Sequence, residues 1–367
     1  MNVSLVRVVL ALTLWVLLMM GASIYYVWSW LHTPQRVELV DKVYVIEHGS
    51  SLHRVASDLN EKGMIRWPRI WVTYARLLNL SNIKAGEYKL AQKESPVSLL
   101  SRFQTGELLQ YQITLVEGRN LKEFIESLHS HKKIVQSLAG MSNVEIAKAL
   151  EITAENPEGY FFPDTYQFVS GDSDKDILLR AHLKMTQLLH EEWLNRAGGL
   201  PYKTAYEALI MASIVEKETG AAFERKQIAG VFVRRLQSNM RLQTDPTVIY
   251  GMGENYTGNI RKSDLKKPTP YNTYTNRGLP PTPIAMPGKE SIRAALHPAS
   301  GSTLFFVAKG DGTHYFSSTL KEHEEAVKKY QKKRRSDYRS APEPAVMKQK
   351  EGVVVGPDFN EDSDAAR

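Results

Sequence analysis

The chain of 367 residues contains no cysteine. That excludes a disulfide framework, a thiolate metal site, a cysteine nucleophile and a lipidated cysteine near the start, and it fits an oxidising compartment. His-x-x-x-His pairs, a Gly-x-Ser-x-Gly elbow, a P-loop and a dinucleotide fingerprint are missing as well, so no residue pattern calls for a metal or another cofactor. Acidic residues are outnumbered, 40 against 47 Lys and Arg, which leaves a net charge of +7. Such a balance suits an anionic polymer or a membrane surface. Much of the excess, however, sits in one run, Lys328, Lys329, Lys332, Lys333, Arg334 and Arg335, with no aromatic platform or folded reader beside it, so nucleic acid is not an expected partner.

What is present begins with an apolar run. Val8 to Trp28 carries no charge over about 20 positions, the length a bilayer core requires. Tyr25, Tyr26, Trp28 and Trp30 cluster at its far end as interfacial aromatics do. A cleavable signal peptide with Gly21-Ala22-Ser23 near the cleavage point is the competing reading, but apolar and aromatic residues continue to Leu31. We expect a cytoplasmic N-terminus at 1–7, a single transmembrane anchor at 8–30, and everything after about residue 35 on the far side of the membrane.

Past the anchor, Lys42 to Glu47 alternates like a strand, and Leu52, Val55, Ala56 and Leu59 mark a helix. Further expected elements are a helix over Arg69 to Leu78, a strand over Ala85 to Leu90, and a helix that Ser95 caps and Gly106 ends. The pattern then echoes itself. With Gly49 aligned to Gly118, Leu52 falls on Leu121, Val55 on Phe124, Ala56 on Ile125 and Leu59 on Leu128. Polar helical segments are expected over His129 to Leu138 and Ser142 to Leu150, and a long amphipathic helix over Asp174 to Ala197. Five aromatics in the nine residues from Tyr160 to Phe168, interleaved with Asp164, Thr165 and Gln167, are what a sugar-stacking surface needs; the alternative is a core segment closed by turns.

The stretch Ala208 to Gly220, A-L-I-M-A-S-I-V-E-K-E-T-G, reads as a helix whose apolar stripe runs into a carboxylate. At about 100° per residue, Met211, Ile214, Val215 and Glu218 share one face. Glu216 is turned roughly 200° from Glu218, toward Ala212 and Ser213. Gly220 looks like the helix stop that leaves Glu218 in the last turn. Desolvation by the stripe and the negative end of the helix dipole both favour the protonated carboxyl, which suits a general acid near neutral pH. The alternative is an amphipathic helix whose terminal glutamate turns out to water.

After Gly220, Glu224 to Ser238 reads as a helix, with Arg225, Lys226, Arg234 and Arg235 as its solvated face. Asp245, before a proline at what looks like a turn, is a second acidic candidate. A proline-rich loop from Lys267 to Gly288 carries Tyr271, Asn272, Tyr274 and Asn276. A short helix over Ser291 to Leu296, a strand over Leu304 to Ala308, a second over His314 to Phe316 and a helix over Glu322 to Tyr330 close the fold. From 331 to 367 the composition is that of a disordered tail. An ordinary glycosidase needs two carboxylates; one suffices if the substrate supplies its own nucleophile.

The segments A-S-I-V-E-K-E-T-G, E-G-Y-F-F-P-D-T-Y-Q-F, L-Q-T-D-P-T-V-I-Y-G, Y-N-T-Y-T-N-R-G-L-P-P-T-P-I and H-Y-F-S-S-T-L-K-E-H, in this order behind an N-terminal anchor, resemble the endolytic murein transglycosylase family, also called YceG-like. The resemblance spans about residues 40 to 330. It implies an α+β fold with a LysM-like βααβ subdomain at 40–108 and a catalytic domain at 109–330. It also implies a lytic transglycosylase at the cytoplasmic (inner) membrane that limits the elongation of nascent glycan strands. Such an enzyme cleaves MurNAc-β-1,4-GlcNAc bonds and leaves 1,6-anhydro ends, with Glu218 as acid and then base. Expected partners are peptidoglycan glycan strands, the membrane and a penicillin-binding synthase. Within the matching motifs the candidate substrate-binding residues are Asp164, Tyr166, Gln243, Asp245, Thr247, Asn272 and Tyr274. One departure is Met286, where many relatives carry a small polar residue. A hydrolytic muramidase that uses Asp245 as second carboxylate, and a non-catalytic glycan-binding scaffold, are the alternatives.

Overall fold

Helix α1, Val3–His32, opens the chain because nothing in its sequence interrupts an apolar helical run. Over Val6–His32 it is long and apolar enough to cross a membrane. Its last turns are different: Leu31 is 3% exposed in a core that Val27 and Trp30 also pack against. In this computed structural model residues 3–36 and 43–332 are described. The expected tail beyond Lys332 and Lys42 at the head of the expected strand lie outside them.

Two compact units divide the chain, Met1–Gln187 and Leu188–Arg367. In the first, β1 (Gln35–Arg36) precedes β2 (Val43–Ile46), α2 (Leu52–Glu61), α3 (Pro68–Leu77) and β3 (Gly86–Lys89). Then follow β4 (Lys93–Glu94) and α4 (Pro96–Thr105). Strands β2 and β3 pair antiparallel, Val43 opposite Lys89, and β1 pairs with β4. Capping decides where the helices begin. Ser51 accepts from the Arg54 amide, and Ser95 forms a capping box with Ser98 before α4 ends on left-handed Gly106, φ 76°. Trp71, Tyr88, Leu99 and Phe103 fill the centre, and the Trp71 indole donates to the Pro96 carbonyl at 2.7 Å.

The same unit continues with β5 (Gln110–Thr114), α5 (Leu121–His129), α6 (Asn143–Ala149) and β6 (Thr165–Val169), with β5 antiparallel to β6. The internal echo reaches the backbone: Gly49 and Gly118 hold φ of 79° and 77° at the equivalent turns. Ile125, unlike its counterpart Ala56, is only partly buried. The expected helix over His129 to Leu138 is absent; α5 stops at His129 and the segment turns instead. Buried Asp174 accounts for this, since it accepts from the Ser137 and Leu138 amides, which a helix would have spent internally, and is held in place by the His129 ring.

Helix α7, Asp174–Leu194, contains the division between the units. The second unit is built on α8 (Ala205–Glu218), α9 (Arg225–Gln237), α10 (Asp245–Met252) and α11 (Lys289–Leu296). A hairpin of β7 (Phe305–Ala308) and β8 (His314–Ser317) and helix α12 (Leu320–Tyr330) complete it. Helix α8 is the centre of this unit: Ala208 to Val215 are all buried. It is therefore a core helix, buried all round, and the amphipathic reading is corrected. Asp245 likewise does not sit in a free turn. It is the first residue of α10, with Pro246 in the first helical turn, where a missing N–H costs nothing.

Candidate active site

Both glutamates at the end of α8 are held inside, each by a different neighbourhood. Glu216 pairs with Arg225 and accepts from the Gly288 amide at 2.9 Å, and on the same side Ser213 accepts from the Ile284 amide at 3.0 Å. That side of α8 therefore anchors the proline-rich loop. Glu218 continues the apolar stripe and emerges on another side. The helix ends there because Thr219 turns directly to extended backbone, φ −144° and ψ 133°. Gly220 is thus not a left-handed cap; the expected position of Glu218 in the last turn holds for a different reason.

Glu218 lines a cavity of about 580 Å³ with Gln243, Asp245 and Tyr274. Phe306, Val307 and Ala308 from β7, His314 from β8 and His323 from α12 line it too. Its carboxyl accepts a hydrogen bond from the Thr244 hydroxyl. Burial pushes the Glu218 pKa up to about 7; the Thr244 hydroxyl and Arg235 oppose this, and the negative charge of Asp245 adds to it. Solvent reaches the half-buried side chain through the cavity, so the group is desolvated yet accessible. This is the condition of a general acid that can protonate a ligand near neutral pH.

The Asp245 carboxylate accepts from the Tyr274 hydroxyl at 2.6 Å, and burial and that bond push the Tyr274 pKa well above its ordinary range. Gln243 lines the same cavity in left-handed conformation, φ 52°, a strained state for a residue with a side chain. The strand-like segment it opens is registered on the loop, with Gln243 and Thr244 amides donating to the Thr273 carbonyl and hydroxyl.

Among the sequence-derived candidates, then, Glu218, Gln243, Asp245 and Tyr274 meet at one cavity. Thr247 and Asn272 do not line it. Thr247 is fully buried and its hydroxyl donates to the Thr244 carbonyl. Asn272, 1% exposed, clamps the loop by donating to the Asp264, Leu265 and Lys267 carbonyls while accepting from the Tyr274 amide. Met286 is fully buried and makes no part of the cavity lining. Asp164 and Tyr166 belong to the first unit. There Asp164 pairs with Lys184, and buried Tyr166 donates to the Phe162 carbonyl at 2.6 Å.

Arg235 was not among the candidates, and the expected solvated basic face of α9 is corrected for Arg225, Arg234 and Arg235, while Lys226 is exposed as expected. Arg235 is 7% exposed; its Nε donates to the Leu304 carbonyl at 2.7 Å and its Nη1 to the Leu242 carbonyl at 2.8 Å. Arg234 binds the Ala299 carbonyl and Thr303, and Arg225 binds Glu216. A signal existed: Arg235 stands three and four residues after Phe232 and Val231, so it continues the buried stripe of α9 as Glu218 continues that of α8. Thr244 and the pair of His314 with Glu224 were also missed. Glu224, 3% exposed, accepts from both the His314 amide and Nδ1, at 2.9 and 2.8 Å. Among the described residues no cluster of three or more His, Asp or Glu side chains is disposed to hold a metal ion.

The model of a family described as YceG-like matches residues 44–329. An endolytic murein transglycosylase of Bacillus subtilis (strain 168) is 32% identical over 330 residues, covering 85% of this chain and 91% of the relative. One from Streptococcus pneumoniae (strain ATCC BAA-255 / R6) is 28% identical over 331 residues, and the matched region spans 59% of that longer protein and 79% of this chain. The crystal structure of a yceG-like protein from Listeria monocytogenes is similar with a TM-score of 0.50 and 31% identity, over 77% of this chain and 97% of that one.

Proposed function

The chain belongs to the YceG-like family, and from that premise and the Glu218 cavity we propose that it is an endolytic lytic transglycosylase acting on peptidoglycan. The observation that carries the proposal is a carboxyl with pKa near 7 at the end of a buried helix, open to a cavity large enough for sugar rings. Protonated Glu218 donates to the glycosidic oxygen of a MurNAc-β-1,4-GlcNAc bond as that bond breaks and cationic character develops at C1. The muramic C6 hydroxyl then attacks C1, and the Glu218 carboxylate takes its proton. A 1,6-anhydro end forms, no water is consumed, and the acid is regenerated. Thr244 holds the carboxyl in one orientation through both steps.

The rest of the chain supports the same reading. Helix α1 has the length and hydropathy of a single-pass anchor and runs without a break into the first unit's core through Leu31. With the N-terminus cytoplasmic, everything after α1 would lie outside the inner membrane, where nascent strands are made. The β2-α2-α3-β3 unit, with its strands paired, suits a LysM-like glycan-binding module. In that setting the enzyme would limit strand elongation beside a penicillin-binding synthase.

One observation favours a second reading. Asp245 lines the cavity with Glu218, as a hydrolytic muramidase with two carboxylates would need. Mass analysis of products from purified glycan strands separates the two, because an anhydro end is lighter than a hydrolysed one by one water. Anhydro products from wild type, and none from Glu218→Gln, are the expected result. Reducing ends without anhydro sugar would overturn the transglycosylase reading in favour of hydrolysis. A Glu218→Gln protein with full activity would remove Glu218 from its role, and a wild type that binds strands without cleaving them would leave a scaffold.

A further inference from the structure

The mechanism uses Glu218 and leaves Arg235 without a task. Arg235 is a buried cation, and among the described residues no carboxylate stands within ion-pair distance of it. Two of its three nitrogens are spent on backbone carbonyls, Nε on Leu304 and Nη1 on Leu242. Nη2 has no hydrogen bond to the described residues, and the side chain lines the cavity that holds Glu218. A buried charge left this way is expensive unless something enters to pair with it.

His323 stands beside it in the same condition. Its ring stacks on Phe305 at 5.2 Å, and the Arg235 guanidinium lies over that same ring at 5.1 Å. The His323 Nδ1 is buried without a partner, and burial together with the Arg235 charge lowers the His323 pKa, which favours the neutral ring with its one N–H. His314, the other histidine at the cavity, differs: its Nδ1 proton is committed to Glu224. Arg235 and His323 thus form a donor set on one aromatic platform. A sugar hydroxyl offers the guanidinium edge a weak neutral acceptor, whereas an amide oxygen is a stronger acceptor and a carboxylate also brings the opposite charge that the buried cation lacks.

We propose that Arg235 and His323 form a subsite for the acyl oxygen of the 3-O-lactyl substituent that muramic acid carries and N-acetylglucosamine lacks. The subsite sets which sugar lies on which side of Glu218, and so the register of the strand. This rests on the peptidoglycan reading given above. The lactyl oxygen has two sources, a free carboxylate on peptide-free strands and an amide carbonyl on strands with stem peptides.

The test is binding by the full chain carrying Glu218→Gln, with three probes: peptide-free glycan strands, strands with stem peptides, and chito-oligosaccharides, which have no lactyl group. Lactyl-bearing strands are expected to bind about tenfold tighter than chito-oligosaccharides. Adding His323→Phe, which keeps the ring stack and removes both nitrogens, should erase that preference and leave chito-oligosaccharide binding unchanged. His323→Gln restores a donor and should retain part of the preference, which separates lost recognition from lost folding. Tighter binding of peptide-free strands names the carboxylate as the ligand; equal binding of both strands names the acyl carbonyl. Equal affinity for all three probes overturns the subsite, as does a preference that His323→Phe leaves intact or a loss that falls equally on all probes. A Glu218→Gln protein that binds none of them overturns the peptidoglycan reading itself.

Discussion

Replacing Thr244 by valine should move the alkaline limit of activity upward. The Thr244 hydroxyl donates to the Glu218 carboxyl, a bond that favours the charged form and so opposes the desolvation that pushes the pKa to about 7. Valine keeps the branched shape, and the backbone at Thr244 is extended, φ −115° and ψ 124°, where a β-branched residue fits. The Thr244 amide keeps its acceptor, the Thr273 hydroxyl, at 3.0 Å. The substitution therefore removes one contact and little else. A hydrogen bond to a charged group contributes about 1.5–3 kcal/mol, and about 1.4 kcal/mol corresponds to one pH unit. Allowing water to recover part of the loss, the pKa should rise from about 7 to about 8.

The assay is kcat/KM on glycan strands across pH 5 to 10, with products quantified by mass. Glu218 must be protonated to act as the acid, so wild-type activity falls as pH rises through about 7. In Thr244→Val the falling limb should lie about one pH unit higher, with the plateau reduced because the carboxyl is less well oriented. A limb that stays in place, or moves down, would refute the assignment of that limb to Glu218 or of the bond to its charged form.

Asp245→Asn should move the same limb the other way, since it removes a negative charge that raises the Glu218 pKa; a shift upward would contradict the sign of that interaction. Glu218→Gln should stabilise the protein at high pH. The raised pKa means that stability is complete below about 4.5 and is lost as pH rises through about 7, a cost of up to about 3 kcal/mol that glutamine does not bear. The melting temperature of the variant should then exceed that of wild type at pH 8 and match it at pH 4; equal values at both pH values would sink the idea. Gly230→Ala should destabilise the second unit by about 1–3 kcal/mol, because the added Cβ would meet the Ala299 carbonyl at 2.4 Å and force α9 outward; an unchanged denaturation midpoint would count against that close approach.

Local rules made much of the fold legible. Ser95 with Gly106 and the two left-handed glycines at 49 and 118 each carry their structural reason within a few residues. What failed was decided at long range. The His129 to Leu138 segment is periodic enough for a helix, but Asp174 claims its amides from about forty residues away. Asp-Pro at 245 reads equally as a turn or a helix start, and only the registration of Gln243 and Thr244 on Thr273 selects the helix. His314 was legible as a strand residue and not as the partner of Glu224, ninety positions earlier.

The two ionisable groups at the cavity that were local in origin, Glu218 and Arg235, obey one rule, applied in the sequence to the first and not to the second. Each is a charged residue at the position where the apolar stripe of a buried helix should continue, and each is accordingly desolvated. Glu216 and Arg234, turned off their stripes, line no part of that cavity and are held by structural partners alone, Glu216 by Arg225 and Gly288, Arg234 by Thr303 and Ala299. A charge on the stripe cannot be solvated by turning away, so it persists only where the packing opens into a cavity or offers partners. Helix α8 ends at such an opening, and α9 passes along it. The helical phase of a charged residue within a core helix is therefore a statement about where the cavity must be.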